Sequence, residues 1–186
     1  MTTRYLPGDE IEYTITYLEM ASRPSFALVP IPAQKGLALV RAENPPVRWF
    51  LHLYDSVGAD HEWMDWHDAP AEELRAFVQD ENVTMYTLML QGWTAGFFVL
   101  DHRQTGVVDL AYFGLTPEAR GRGLSGWLLT TAIQTGWSQP DVACMTLNTC
   151  TLDGPRALPM YQKYGFSPVR QETKTRILTG PWPRGE

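Results

Sequence analysis

Residues 120–125 read Arg-Gly-Arg-Gly-Leu-Ser, and this run holds the residue types best suited to chemistry. Before it, Val107 to Leu115 is mostly apolar and β-prone, which predicts a strand. Pro117 then takes the chain out of any central sheet position. After it, Leu124, Trp127, Leu128 and Thr131 recur at i, i+3, i+4 and i+7, the period of a helix. A helix start leaves about four backbone N–H groups without partners, at the positive end of the macrodipole. Gly121 and Gly123 let a ligand approach those groups, because no Cβ intervenes. Arg120 and Arg122 add two permanent cations with forked donors. Strand, turn, arginines and helix together predict a cradle for a diphosphate. A plain surface turn with incidental arginines is the competing reading, and it would stand for a glycine pair taken alone.

Two phosphate-binding patterns compete for this segment. Gly121-x-Gly123-x-x-Gly126 matches the dinucleotide fingerprint, and Asp141 lies at a suitable distance beyond it. That fingerprint turns directly off its strand, however, whereas Thr116 to Arg120 intervene here. Only about sixty residues follow Gly126, too few for the remaining units of a dinucleotide domain. A Walker loop is excluded because no Lys-Ser or Lys-Thr follows the glycines. The better match is Arg120-x-x-Gly123-x-Ser125, which resembles the acyl-CoA loop, Arg/Gln-x-x-Gly-x-Gly/Ala, of the GNAT superfamily of N-acetyltransferases. Ser125 replaces the last small residue of that pattern. Downstream, Ala157-Leu-Pro-Met-Tyr161-Gln-Lys-Tyr164-Gly165-Phe166 resembles the family's Ala-x-x-x-Tyr-x-x-x-Gly-Phe segment. The two segments span about the C-terminal half of the chain.

The resemblance implies an α/β fold (α+β mixed sheet): a central, mostly antiparallel sheet with one parallel strand pair and flanking helices. Residues 1–186 would form one domain, with a variable acceptor-side half (1–80) and an acyl-CoA-binding core (81–178). Acetyl-CoA is the implied donor. Main-chain groups around Phe113 and Leu115 would meet its pantetheine arm, and Arg120, Gly121, Arg122, Gly123, Leu124 and Ser125 its diphosphate. The parallel strands would part there beside a bulge, which Gly114 would permit.

Tyr161 aligns with the family's tyrosine acid; with a pKa near 10 it is protonated at neutral pH, and such an acid contributes about 10²–10⁴-fold. Asp109 lies on the strand where the family often places an acid that deprotonates the amine, and its parity matches Ala111, Phe113 and Leu115. Its structural alternative is a buried, hydrogen-bonded acid. Asp101, Glu118 and His61 are weaker candidates. The implied reaction is direct attack of a primary amine, on a small molecule or peptide, within a ternary complex. A non-catalytic acyl-CoA sensor is the runner-up, and a dinucleotide-dependent redox domain a third reading.

The 186 residues, 44% hydrophobic and 12% aromatic, suit one domain with a substantial core. A net charge of −6 argues against nucleic acid as partner and mildly favours a cationic acceptor. Cys144 and Cys150 fall six apart on one expected strand, about 20 Å in extended chain, which is too far to bridge. They read as reduced thiols, and two thiols alone make no metal site. Residues 60–68 mix two histidines, four acids and two tryptophans in no metal-ligand spacing. The plain reading is a loop with Trp63 and Trp66 packed on the core; the functional one is an aromatic wall for the acceptor, with Tyr112. No signal-peptide pattern or membrane-length apolar run is present, so the expectation is a cytoplasmic monomer or homodimer without metal or membrane.

Periodicity predicts the remaining elements. Glu10 to Met20 alternates as a half-buried strand, and Gly36 to Arg41 is a short strand. Asn44 would cap a helix opened by Pro45-Pro46, with Val47, Phe50, Leu51, Tyr54 and Val57 inward and Gly58 at its end. A second helix runs from Asp68 or Pro70 to about Gln79. Val83 to Leu90 and Trp93 to Leu100 form a hairpin across Gln91-Gly92. Val142 to Cys150 reads as a strand buried on both faces. Asp153 would cap a helix carrying Tyr161 and closed by Gly165, with Pro159 forcing a late start or a kink. Phe166 to Leu178 supplies one last strand, where the family usually has two.

Overall fold

The computed structural model describes residues 4–27 and 29–182. Seven strands form one sheet: β1 (Glu10–Met20), β2 (Leu37–Ala42), β3 (Val83–Leu90), β4 (Trp93–Asp101), β5 (Val107–Leu115), β6 (Cys144–Cys150) and β7 (Ser167–Ile177). Helices α1 (Val47–Gly58), α2 (Asp65–Asp68) and α3 (Ala71–Val78) precede β3. Helix α4 (Leu124–Gly136) joins β5 to β6, and α5 (Ala157–Lys163) joins β6 to β7. The strand order is β2-β3-β4-β5-β6-β1-β7. Every neighbouring pair is antiparallel except β5–β6, which are parallel. A parallel pair needs a crossover, and α4 provides it.

The order explains the missing C-terminal strand. β1, from the other end of the chain, lies between β6 and β7. It pairs Ile15 to Met20 with Cys150 to Met145, and Glu10 to Glu19 with Ile177 to Ser167. The strand after α5 thus joins the sheet through the N-terminal strand and never touches β6.

Side chains divide between two main clusters. Val108, Leu110 and Leu115 of β5 pack with Leu124, Leu128, Leu129 and Ile133 of α4, and Phe113 joins them. On the opposite face, Phe50, Leu53, Tyr54 and Val57 of α1 pack with Leu74, Phe77 and Val78 of α3 over Phe97 and Val99 of β4. Ala111 and Tyr112 belong to this second face.

Several local expectations are corrected. Asn44 does not cap α1: it sits at φ 47°, and the cap position is Pro46, whose side chain has nothing to donate or accept. Asp153 does not cap α5, which starts late, at Ala157. Its carboxylate instead accepts from Thr149 Oγ1 (2.5 Å) and the Cys150 amide (3.0 Å), closing the turn after β6. The late start puts Pro159 in the first turn, where its missing N–H costs nothing. β6 is not buried on both faces: Met145, Leu147 and Thr149 are buried, while Asn148 between them is exposed, because α1 and α3 do not extend over this part of the sheet. Among the described residues, no helix is long and apolar enough to cross a membrane.

Candidate active site

The parallel pair β5–β6 is short. It has three rungs, Val107↔Cys144, Val108↔Met145 and Asp109↔Thr146, and beyond them the strands part. On its other edge β5 slips register against β4: Tyr112 faces Val99 and Leu110 faces Leu100, so Ala111 is the extra residue of a bulge. The bulge is therefore at Ala111, not at Gly114. Gly114 serves packing instead, since a Cβ there would lie 2.2 Å from Val57 Cγ1.

The bulge also overturns the parity expected for Asp109. Simple alternation would place it with Phe113 and Leu115. With one residue inserted, Asp109 shares a face with Ala111 and Tyr112, on the α1/α3 side, while Phe113 and Leu115 turn toward α4. Asp109 lies at the apex where the strands separate. Its Oδ1 accepts from Thr146 Oγ1 at 2.6 Å. It lines a cavity of about 470 Å³ with Asp101, Arg103, Gln104, Val107 and Thr146. Burial pushes its pKa up, to about 6, with the Asp101 charge adding and the Thr146 hydrogen bond opposing. Asp101 takes the opposite course. Burial would raise it, but the hydrogen bonds and charge of Arg103 outweigh that and hold it below the ordinary carboxylate range.

The predicted cradle forms just past β5. A 3₁₀ turn at Pro117–Ala119 leads into it. Gly121 and Gly123 have φ 74° and 73°, and a Cβ on either would meet nothing within 4 Å. These are left-handed conformations facing open space, which side chains disfavour and a ligand can use. Gly123 occupies the cap position of α4 without any side-chain cap. No side chain at the cap therefore accepts from the first amides of that helix. Leu124 is fully buried, so only its backbone faces the cradle, and Ser125 is half-buried. Arg122 folds back, its Nε donating to Glu118 O at 3.0 Å. Gln34, from the connection between β1 and β2, donates through Nε2 to Arg122 O, also at 3.0 Å.

Arg120 reaches across to the acceptor-side loop. Its Nη1 lies 3.6 Å from Asp60 Oδ2 and its Nη2 3.3 Å from His61 Nε2. His61 Nδ1 is 3.2 Å from Leu152 O. A carbonyl only accepts, so Nδ1 carries hydrogen and Nε2 accepts from the guanidinium. His61 thus bridges the end of β5 to the turn after β6, across the mouth of the parted strands.

Tyr161, on α5, is buried, with its ring edge-on to Phe113 (6.2 Å) and Phe166 (6.3 Å). Burial, and then the charge of Asp153, push its hydroxyl pKa well above the usual tyrosine value. It therefore stays protonated at neutral pH.

Trp63, Trp66 and Tyr112 come together, as a packed cluster. Trp66 Nε1 donates to Tyr112 Oη at 2.6 Å, and its ring stacks on Phe77 at 5.1 Å. Trp63 and Tyr54 each lie within 5.5 Å of the Tyr112 ring. The loop holding the tryptophans is pinned from the far edge of the sheet. Glu62 is fully buried at φ 57° and accepts from Thr179 N and Oγ1, each at 3.0 Å. Arg176 donates to Glu62 O and to Asp65 Oδ1. Sequence patterns gave no hint of Thr146, Gln34 or Glu62, because each acts on a residue at least 37 positions away. Cys144 and Cys150 are free thiols, and burial together with Asp153 lifts Cys150 to about 11. Among the described residues, no group of three or more His, Cys, Asp or Glu side chains is placed to hold a metal ion.

Residues 48–166 match the family described as Acetyltransferase (GNAT) family, and the chain belongs to it. Solved structures with the same fold include a GCN5-related N-acetyltransferase from Kribbella flavida (TM-score 0.56, 15% identity, 87% of this chain and 56% of that one). A GNAT-family acetyltransferase from Novosphingobium aromaticivorans is similar (TM-score 0.54, 17% identity, 89% and 63%). So is an aminoglycoside acetyltransferase from an uncultured soil metagenomic sample, in complex with trehalose (TM-score 0.54, 14% identity, 69% and 86%). The chain spans 56–63% of the length of the first structures it matches. No curated protein matches it by sequence.

Proposed function

We propose that this chain is an N-acetyltransferase that moves an acetyl group from acetyl-CoA to a primary amine of a small-molecule or peptide acceptor, by direct attack in a ternary complex. The observation that carries this reading is the parting of β5 and β6 just beyond Asp109 and Thr146, with an open, two-glycine cradle at the start of α4. The unpaired β5 edge from Ala111 to Leu115 offers main-chain partners to the pantetheine arm. The amides of residues 121–125, with Arg120 and Arg122, suit the diphosphate. A hydrogen bond to a charged group contributes about 1.5–3 kcal/mol, so a few such contacts carry much of the donor's affinity.

In the step itself, Asp109 accepts a proton from the ammonium and the freed lone pair attacks the thioester carbonyl. The N–C bond forms, the C–S bond breaks, and Tyr161 protonates the departing thiolate. The proton lost by the new amide nitrogen restores Tyr161, and the proton on Asp109 leaves to solvent. Arg120 releases Asp60 and His61 to meet the diphosphate. The net acidity of the chain and the carboxylates Asp101 and Asp109 suit a cationic acceptor, and the packed cluster of Trp63, Trp66 and Tyr112 stands on the same face of the sheet as Asp109. The presence of an aminoglycoside acetyltransferase among the structural relatives is compatible with a small amine acceptor.

The test is thiol release from several acyl-CoA donors across an amine panel. Release with acetyl-CoA and at least one amine is expected. Binding of acetyl-CoA without release from any donor would mark a non-catalytic acyl-CoA sensor instead. Tyr161→Phe should then lower turnover by about 10²-fold or more, and undiminished turnover would remove it from the acid role.

A further inference from the structure

The parallel rung that closes the apex of the site joins Asp109 to Thr146, and nothing in either residue's local sequence announces the pairing. Across this row of the sheet Asp109 faces Asp101 on one side and Thr146 on the other, and Thr146 in turn faces Glu19. The Thr146 hydroxyl donates to Asp109 Oδ1 at 2.6 Å, the length of a charge-assisted bond. Oδ2 has no hydrogen-bond partner among the described residues, and Asp109 lines the cavity.

We propose that Thr146 is a positioning residue for the transferase. Its hydroxyl holds Asp109 as an ionised acceptor with Oδ2 turned to the incoming amine, and so sets the pH at which the chain works. The proposal rests on reading Asp109 as the base.

The charged and titratable surroundings explain why one hydroxyl matters so much. From β4, Asp101 opposes ionisation of Asp109, and its own charge is neutralised by Arg103, which holds it through Nε and Nη2. From β5 itself, Tyr112 is neutral: burial, and then the charges of Asp65 and Asp109, oppose its ionisation. From β1, Glu19 lies past Thr146 and beside Cys144. Burial first, and then the Asp101 charge, favour the protonated form of Asp109. Arg103 is the nearby cation, and it is engaged by Asp101. Thr146 is the group that bonds the carboxylate directly and favours its ionised form. The β-branched Thr suits a strand, and its χ1 stiffness aims the hydroxyl. Valine has nearly the same shape without the donor.

The experiment pairs Thr146→Val with Thr146→Ser and follows the Asp109 side-chain carboxyl by ¹³C NMR as pH is raised, without any acceptor. The acid limb of the pH–rate profile is then recorded with acetyl-CoA and whichever amine the panel identifies. In the unaltered chain the carboxyl should titrate near 6. Thr146→Val should raise the midpoint by roughly one unit, a tenfold rise in proton affinity, and move the rate limb with it. Thr146→Ser, which keeps the donor, should return both toward the unaltered values. A midpoint unmoved in Thr146→Val overturns the proposal. So does a midpoint that moves while the rate limb stays, since the carboxyl would then not be the group controlling turnover. Absence of thiol release by the unaltered chain with every amine defeats the functional reading itself, whereas an unmoved midpoint defeats only the role of Thr146.

Discussion

The proposed donor side and the proposed acceptor side of this molecule are held by different means. The donor side, from Leu115 through the first turn of α4, is shaped by backbone: two left-handed glycines, an uncapped helix start and the unpaired edge of β5. The acceptor side, from α1 through α3, is shaped by side chains: Phe50, Tyr54, Trp63, Trp66, Phe77 and Tyr112 interlock with ring centroids 5.1–6.3 Å apart. On the proposed reading the backbone cradle meets what every acyl-CoA shares, and it depends on a few residues of fixed conformation. A side-chain cluster is shaped by volumes, so its surface can be altered by repacking without touching the donor site. Asp109 lies at the seam, held by Thr146 of the neighbouring strand and lining the cavity with Asp101 and Arg103.

Four substitutions would break or sharpen that contrast. The largest effect should come from the acceptor side. Phe50 is fully buried between Tyr54, Trp66, Phe77 and Tyr112, and Phe50→Ala should cost about 3–5 kcal/mol of stability in denaturant unfolding. If stability fell by less than about 1 kcal/mol, the ring cluster would not be the support of that half.

At the seam the sign reverses. Asp109 has its folded pKa raised from 3.8 to about 6. The stability tied to its protonated form is therefore complete below about pH 4 and lost as pH rises through 6. Asp109→Asn keeps an acceptor for Thr146 and needs no ionisation. It should be more stable than the unaltered chain at pH 7.5 by up to roughly 3 kcal/mol, with the gain vanishing near pH 4. Unfolding curves at the two pH values decide it, and a pH-independent difference would argue against a raised pKa.

On the donor side, Gly123→Ala forces a side chain into a left-handed position and should cost about 1–2 kcal/mol, while calorimetry should find acetyl-CoA binding weakened by tenfold or more. Unchanged affinity would place the diphosphate elsewhere. The smallest stability effect belongs to Arg120→Ala. Its contacts with Asp60 and His61 are partly exposed and worth about 0–1 kcal/mol. Its cost should show in donor affinity instead, and more strongly at low ionic strength.

Legibility from sequence follows the same divide. β1, β3 and β5 begin and end where alternation and β-propensity place them, since a strand with one or both faces buried leaves a periodic trace. The cradle is equally legible, because its requirements (glycines, a strand before, an amphipathic helix after) are met within about twenty consecutive residues. That Trp63 and Trp66 pack on the core could be read from their loop, but their partners Phe77 and Tyr112 could not. The bulge at Ala111 leaves no residue-type signature, and it alone decides which face carries Asp109. Glu62 reads as one acid among four, although its carboxylate is buried against Thr179 at the far edge of the sheet.

Most elements, the glycine turn before α4 and the family were legible along the chain, because each depends on patterns local in sequence. Only the tertiary structure decided that the first strand completes the sheet beside β6, that β5 and β6 part after three rungs, and that Thr146 faces Asp109. Those outcomes are set by which strand edges find one another across 37 to more than 130 residues. Backbone hydrogen bonding between strands carries no residue code of its own, so pairing of that range is chosen by the packing of the whole core.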